Sequence, residues 1–197
     1  MTAALTFLFL RHGEASHNVA QREVGDSAYE DPQWRDAHLS SRGNEQTIAA
    51  GEEIATRFGT HFQAIWCSPL SRCIQTALNV QQSISSPSRI LHDSLLERLG
   101  GGHVCNERMA KDDIVIQYTG WQSHLIPYDG PRWGSIREHE DSVRTRMKSL
   151  LLFLEEKYRG ATHPILVVSH HDAIQALFGV SLRNGEFYVH QSREPLA

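Results

Sequence analysis

Runs of apolar residues alternate with longer amphipathic segments along most of the chain. Residues 5–10 and 164–169 are almost unbroken apolar runs, which are typical of strands covered on both faces. Shorter runs at 62–67 and 89–91 predict two more strands, and 186–190 predicts a final edge strand. Because strands alternate with helical segments, we expect a three-layer α/β/α fold with a mainly parallel central sheet.

Helical periodicity is found in four of the segments between these strands. The predicted helices span 40–58, 69–82, 137–158 and 172–178, with Pro69 in the first turn of the second. Residues 19–38 and 103–137 lack this periodicity. We expect the former to be a loop and the latter an irregular insertion with one short helix, which could act as a lid. No linker or repeat divides residues 1–197, which predicts one domain.

Composition and charge narrow the class of protein. The 197 residues are 40% apolar and 21% charged, which is ordinary for a globular protein. The net charge of −4 gives no electrostatic reason to expect nucleic acid or a membrane as partner. We find no transmembrane run and no basic N-terminal region of a signal peptide. Cys67, Cys73 and Cys105 lack metal-type spacing, so we interpret them as reduced thiols in a cytoplasmic protein. The sequence gives no indication of oligomeric state.

Residues that could bind a phosphate follow three of the predicted strands. Arg11 and His12 end the first strand, Arg72 follows the second, and His170 ends the strand at 164–169. Open α/β sheets bind ligands at the carboxyl edge of their strands, so these side chains should surround one pocket. We expect Gly13 to let the backbone turn sharply there. The planar fork of arginine binds phosphate through paired hydrogen bonds, which makes this set suited to a phosphoryl group.

The same residues form motifs that resemble those of a known family. These are Arg11-His12-Gly13-Glu14 with Asn18, Ser68-Pro69-Leu70-Ser71-Arg72 with Thr76-Ala77, Leu96-Glu97 and Val168-Ser169-His170. Their order is similar to that of the histidine phosphatase superfamily, which has the phosphoglycerate-mutase-like fold. The resemblance covers residue 5 to about residue 179. It implies that His12 is the nucleophile, that Arg11, Arg72 and His170 bind the phosphoryl group, and that Glu97 donates the proton.

The implied chemistry is consistent with these residue types. Attack by His12 on a phosphomonoester gives a phosphohistidine, and Glu97 protonates the leaving alkoxide before it activates water. His12 needs one unprotonated nitrogen, and we expect a nearby main-chain carbonyl to hold the proton on the other. Neither a metal nor a cofactor is expected, and the predicted partner is a small phosphorylated substrate.

For several side chains near these motifs, the sequence is compatible with more than one role. Asn18 could donate to phosphate or cap a turn, and Glu14 could support an arginine or cap a helix. His171 replaces a glycine that is common in the family, and it could add a donor at the rim or point away. His170, His171 and Asp172 are adjacent, so their side chains should diverge rather than share a metal.

The resemblance leaves more than one function open. The family's glycolytic mutases have a histidine and a tyrosine where this chain has Leu99 and Gly100, which favours a phosphomonoester hydrolase. The alternatives are a cofactor-dependent phosphoglycerate mutase and a non-catalytic phosphate-binding or scaffold protein. A cysteine phosphatase that uses Cys67 and Arg72 is disfavoured. Its arginine should follow the cysteine by six positions rather than five, and Pro69 removes one of the backbone amides that would bind phosphate. A further set, Arg108, Arg132 and Arg137, could contact a second anionic group or lie at the surface.

Overall fold

A mixed sheet forms the centre of the computed structural model, which describes residues 4–124 and 135–192. Its strands are β1 (Thr6–Arg11), β2 (Ala64–Cys67), β3 (Arg89–His92), β4 (Gln122–His124), β5 (Ile165–Ser169) and β6 (Phe187–Gln191). The order is β4-β3-β2-β5-β1-β6, and all neighbours pair in parallel except β6, which lies antiparallel to β1 at the edge. The predicted mainly parallel sheet is therefore confirmed.

Helices cover both faces of the sheet. They are α1 (Ser16–Val24), α2 (Ser41–Phe58), α3 (Ser71–Val80), α4 (Lys111–Gln117), α5 (Glu140–Lys157) and α6 (His171–Phe178). Successive side chains of a strand point to opposite faces. Phe7 and Phe9 accordingly pack in the core with α5 and α6, whereas Leu8 and Leu10 pack with α2 and α3. This confirms the predicted three-layer architecture.

The register of the central strands brings three chain segments to one edge. Arg11 of β1 pairs with Ser169 of β5, and Cys67 of β2 pairs with Val168. The next residue on β1, His12, donates its backbone N–H to Ser169 O at 3.0 Å. The three strands therefore end almost level, and the residues that follow them meet at this edge.

Gly13 is needed for close packing rather than for an unusual turn. Nine glycines in the described residues have a positive φ, and Gly13 is not one of them. A Cβ at Gly13 would lie 2.4 Å from Gly43 O, and one at Gly43 would lie 1.9 Å from Glu14 O. The expectation of a sharp turn at Gly13 is replaced by a close approach between the end of β1 and the start of α2.

The segment predicted as a loop at 19–38 is in part helical. Helix α1 and two short 3-10 helices, at 26–29 and 32–34, occupy much of it. The prediction was wrong because α1 has few apolar residues, and only His17 and Ala20 of this helix are buried. Asp36, which follows these helices, has a left-handed φ of 44° and accepts hydrogen bonds from Ser71 N and Oγ, both at 2.8 Å. This contact joins the segment to the first turn of α3.

Two helix starts differ from prediction. Pro69 precedes α3 instead of lying in its first turn, and Asp36 caps that helix from elsewhere in the chain. Helix α5 begins at Glu140, so Arg137 and Glu138 lie in the segment before it.

The expected insertion at 103–137 includes residues 125–134, which lie outside the described chain. Its described part contains a 3-10 helix at 104–106, the short helix α4 and the unpredicted strand β4. Across residues 4–124 and 135–192, the structure has no helix long and apolar enough to cross a membrane.

Candidate active site

The imidazole of His12 has a defined tautomer. Its Nδ1 lies 2.7 Å from Gly13 O, a carbonyl that can only accept, so Nδ1 carries the proton. Arg72 Nε donates to Nε2 at 3.3 Å, which requires Nε2 to be unprotonated. Burial, together with Arg72 and Arg11, places the pKa of His12 well below its usual value. The side chain is therefore a neutral imidazole whose Nε2 lone pair faces a guanidinium, and the expected carbonyl partner of Nδ1 is present.

Arg72 organises the floor of the site from the first turn of α3. The side chain is almost fully buried and donates to Cys105 O at 2.8 Å and to Asn106 Oδ1 at 2.9 Å. It also donates to His170 Nδ1 at 3.3 Å. These contacts fix the plane of the guanidinium beside His12.

Arg11 and His171 lie close together in the site. Arg11 Nη1 donates to Leu182 O at 2.6 Å and lies 3.4 Å from His171 Nδ1. Its Nε is buried and has no hydrogen-bond partner among the residues described. Both side chains line a cavity of about 360 Å³, together with His12, Arg72 and Glu97. His171 lines the cavity, and its contact with a phosphate stays a prediction.

His170 lies close to His12 and is buried. The two rings are 5.1 Å apart between centroids, and His170 is fully buried. Because Nδ1 accepts from Arg72, Nε2 carries the proton and donates to Ser68 Oγ at 2.8 Å. Burial and Arg72 hold its pKa well below the usual value. His170 is therefore a neutral imidazole that accepts a hydrogen bond from Arg72, and its predicted contact with the phosphoryl group stays a prediction.

Glu97 faces the same cavity from the loop after β3. It is 9% exposed, and burial together with the neighbouring carboxylate of Asp172 raises its pKa. Arg98 N donates to Oε1 at 2.8 Å, and Asp172 N lies 3.4 Å from Oε2. A carboxyl group with a raised pKa is protonated over a wider pH range, as a proton donor requires.

An arginine of α5 holds the Glu97 loop in place. Arg146 donates to the main-chain carbonyls of Ser94, Leu96 and Glu97, at 2.7, 2.8 and 3.1 Å. The same guanidinium pairs with Glu138, whose Oε2 accepts Leu99 N at 3.1 Å. Arg146 and Glu138 therefore fix the loop on both sides of Glu97.

The residues at the start of α1 support the site. Asn18 Oδ1 accepts Ala15 N at 3.0 Å, so Asn18 caps a turn, although it also lines the cavity. Glu14 pairs with Arg22 at 2.6 Å and accepts from Ser40 Oγ, the N-cap of α2, at 2.7 Å. Of the two roles considered for Glu14, the structure shows the pairing with an arginine, whereas the helix cap of α2 is Ser40 itself.

The rim of the cavity contains residues that the sequence did not single out. Tyr29 and His103 stack with centroids 5.0 Å apart and an interplanar angle of 19°. His17 and Asp172 also line the cavity. Tyr29, His103 and His17 lie in segments without apolar periodicity, so no sequence pattern indicated them.

The predicted rim arginines have different positions. Arg137 lines the cavity, pairs with Asp172 at 3.6 Å and donates to Arg98 O at 2.7 Å and Gly100 O at 3.3 Å. Arg108 is neither at the surface nor at the cavity, since it is buried in an ion pair with Asp93 at 2.9 Å. Arg132 lies outside the described residues.

The alternative sites have little geometric support. Cys67 is fully buried, burial raises its pKa well above the usual value, and it does not line the cavity. All three cysteines are free thiols. Within the described ranges, no group of three His, Cys, Asp or Glu side chains is arranged to hold a metal.

Known proteins share this sequence pattern and fold. The profile of the histidine phosphatase superfamily (branch 1) matches residues 7–186. A probable phosphoglycerate mutase of Arthroderma benhamiae is 27% identical over 195 residues, which cover 83% of this chain and 58% of that protein. The probable phosphoglycerate mutase GpmB of Salmonella paratyphi C is 30% identical over 182 residues, 90% of this chain and 75% of that protein.

Solved structures share the architecture at low sequence identity. A mycobacterial glucosyl-3-phosphoglycerate phosphatase, solved with VO3, superposes with a TM-score of 0.60 at 20% identity over 94% of this chain and 90% of its own. The fold is accordingly phosphoglycerate-mutase-like. The chain belongs to the histidine phosphatase superfamily, branch 1.

Proposed function

We propose that the protein is a phosphomonoester hydrolase that forms a phosphohistidine on His12. The observation that carries the proposal is the tautomer of His12, with Nδ1 held by Gly13 O and the Nε2 lone pair facing Arg72 in the cavity. A neutral imidazole with an unprotonated nitrogen that faces the cavity can act as a nucleophile. A guanidinium beside it stabilises the negative charge that develops on the phosphoryl oxygens.

In the first step His12 Nε2 forms a bond to phosphorus as the bond to the ester oxygen breaks. The phosphoryl oxygens receive hydrogen bonds from Arg72 and from Arg11, whose buried Nε has no other partner among the described residues. The departing oxygen takes a proton from Glu97, whose pKa is raised by burial. The products of this step are the free alcohol and the phosphohistidine.

In the second step water hydrolyses the phosphohistidine. Glu97, now ionised, takes a proton from the water as its oxygen attacks phosphorus. The bond from phosphorus to His12 breaks, which releases orthophosphate and returns Glu97 to its protonated form. His170 supports Arg72 throughout, and no step uses a metal or another cofactor.

Trapping of the intermediate tests this mechanism. Protein that is incubated with a ³²P-labelled phosphomonoester and quenched in alkaline detergent should contain a base-stable phosphoprotein that loses its label in acid, and His12→Ala should abolish it. Cys67→Ala is the matched control for the cysteine mechanism and should retain the label. A non-catalytic phosphate-binding protein would give no phosphoprotein with any substrate, and that result would refute the proposal.

A cofactor-dependent phosphoglycerate mutase is the second candidate, because both relatives described above are named as probable phosphoglycerate mutases. A mutase must keep water away from the phosphohistidine while its substrate turns. Comparing the isomerisation of 3-phosphoglycerate with the release of orthophosphate separates the two activities. We expect release of phosphate to dominate.

A further inference from the structure

The protonation of His17 can be deduced from its neighbours. Ala15 N donates to Asn18 Oδ1, which fixes the orientation of the Asn18 amide. Asn18 Nδ2 then faces His17 Nε2 at 3.1 Å. An amide nitrogen can only donate, so Nε2 of His17 accepts and is unprotonated. Burial, with Arg72 and Arg11 nearby, places the pKa of His17 well below its usual value, so its single proton is on Nδ1.

This Nδ1–H group has no partner within the described chain, although His17 is only 4% exposed. Buried donors in proteins are almost always satisfied, so an unpaired one beside a cavity points to a ligand. The ring lines the cavity between the nucleophile and the rim, 6.3 Å from the His12 ring and 6.1 Å from that of Tyr29.

The two aromatic side chains beyond His17 carry no formal charge near neutral pH. Tyr29 and His103 stack on each other at the rim. Burial raises the pKa of Tyr29 and lowers that of His103, which keeps both side chains neutral. The neighbouring cation, Arg137, is already paired with Asp172 and with the carbonyl oxygens of Arg98 and Gly100. A leaving group that carries its own anionic group would have to compete with Asp172 for Arg137.

We propose that His17, Tyr29 and His103 form the leaving-group subsite, which takes phosphomonoesters of uncharged, hydroxyl-bearing alcohols. The Nδ1–H group of His17 donates to an oxygen of the leaving group. This inference rests on the proposed hydrolase function and adds the class of substrate to it.

A matched pair of substrates tests the selectivity. Glycerol 3-phosphate and 3-phosphoglycerate both have a three-carbon leaving group, but the first ends in a hydroxymethyl group and the second in a carboxylate. We expect kcat/KM to be at least about tenfold higher for glycerol 3-phosphate, the factor that one unpaired polar contact produces. A preference for 3-phosphoglycerate would overturn the subsite.

Variants of His17 test its role as a donor. His17→Phe should lower kcat/KM about tenfold more for glycerol 3-phosphate than for 4-nitrophenyl phosphate, whose leaving group has no hydroxyl. His17→Gln keeps a donor and should restore part of the difference. His163→Phe, an exposed histidine at the opposite edge of the sheet, is the control and should not alter this ratio. An equal loss on both substrates would assign His17 to the phosphoryl group and overturn the proposal.

A change at the rim tests the charge argument independently. Asp172→Asn removes the carboxylate that pairs with Arg137, so the relative kcat/KM for 3-phosphoglycerate should rise. If this relative kcat/KM does not rise, the role given to the pair of Asp172 and Arg137 is wrong.

Failure of the subsite and failure of the hydrolase can be told apart. If phosphoprotein forms but the selectivity is reversed, only the subsite is wrong. If no phosphoprotein forms, the hydrolase is wrong, and calorimetric binding of the same two phosphomonoesters still decides the subsite.

Discussion

His12 and Glu97 face the same cavity, but different kinds of structure hold them there. His12 follows β1 directly, and its backbone is fixed by a hydrogen bond to Ser169 of the neighbouring strand. Glu97 lies in a loop whose carbonyls are held by the side chain of Arg146. The nucleophile side depends on main-chain register, whereas the acid side depends on ion pairs and hydrogen bonds between side chain and main chain.

This difference indicates which side can vary without loss of the fold. Core strands that are buried on both faces belong to the most stable part of a protein, and loops held by few contacts belong to the least stable part. Substitutions on the nucleophile side should therefore affect chemistry and folding together. Substitutions on the acid side should mainly affect leaving-group dependence.

The largest effect is expected for Arg72→Lys. Lysine keeps the charge but cannot reproduce the planar set of bonds to His12, Cys105 O and Asn106. We expect kcat/KM to fall roughly 10²–10³-fold, the usual loss when a preorganised donor is removed. Quenched-flow measurement of phosphoprotein formation checks this. Arg57→Lys, an exposed change on α2, is the control, and equal effects of the two variants would contradict the role given to Arg72.

Glu97→Gln should give the next largest effect, and one that depends on the leaving group. Loss of a general acid should slow the hydrolysis of an alkyl phosphate about 10²-fold, but should have much less effect on 4-nitrophenyl phosphate, whose anion leaves without a proton. The raised pKa of Glu97 and the lowered pKa of His12 define the active pH range. Activity on alkyl phosphates should fall as pH rises through the pKa of Glu97, and Glu97→Gln should remove this alkaline limb. Equal losses on both substrates would show that Glu97 is not the acid.

The sequence predicts the nucleophile side better than the acid side for a physical reason. Apolar runs indicate β1 and β5, and the ends of parallel strands must meet, so the neighbourhood of His12, Arg72 and His170 follows from pattern alone. No such rule applies to Tyr29 and His103. These two side chains are far apart in the sequence and meet only through a tertiary contact, the stacking of their rings.

Family resemblance identifies Glu97, but it does not identify what holds this residue. Arg146 belongs to the periodic helix α5, where a polar residue on the partly exposed face is normally interpreted as solvated. Its bonds to the Glu97 loop become evident only when the two segments are seen together. In the same way, Gly13 and Gly43 approach each other because two elements pack closely, and neither has a sequence signature of that contact.

Replacing one glycine on each side of the site by alanine compares the rigidity of the nucleophile side with that of the acid side. A Cβ at Gly43 would meet the main chain of Glu14. This clash cannot easily be relieved, because β1 and α2 are both fixed by their packing. Gly43→Ala should lower the free energy of unfolding by about 2–3 kcal/mol, as overpacking does. At Gly101, with φ of 72°, a Cβ would meet side-chain carbons of Arg137 rather than the main chain, so Gly101→Ala should lower the free energy of unfolding by about 1–2 kcal/mol, mainly through the left-handed backbone. Chemical denaturation measures both, and a greater loss at Gly101 would contradict the assignment of rigidity.

The smallest effect, and the sharpest test of the acid side, is expected for Arg146→Gln. The substitution removes hydrogen bonds from the carbonyls of Ser94, Leu96 and Glu97 and leaves Glu138 without its cation. Because Glu97 itself is unchanged, the expected loss is about tenfold in kcat on alkyl phosphates, which corresponds to about one hydrogen bond. KM should change little, because Arg146 does not line the cavity.

Lys148→Gln is the matched control for Arg146→Gln, since it removes an exposed positive charge from the same helix. A general loss of stability would lower activity on alkyl and aryl phosphates alike. Displacement of Glu97 would lower activity on alkyl phosphates more and would shift the alkaline limb of the pH profile. A role of Arg146 in positioning the acid therefore requires the second pattern in Arg146→Gln and its absence in Lys148→Gln, with thermal unfolding showing that both variants are folded at the assay temperature.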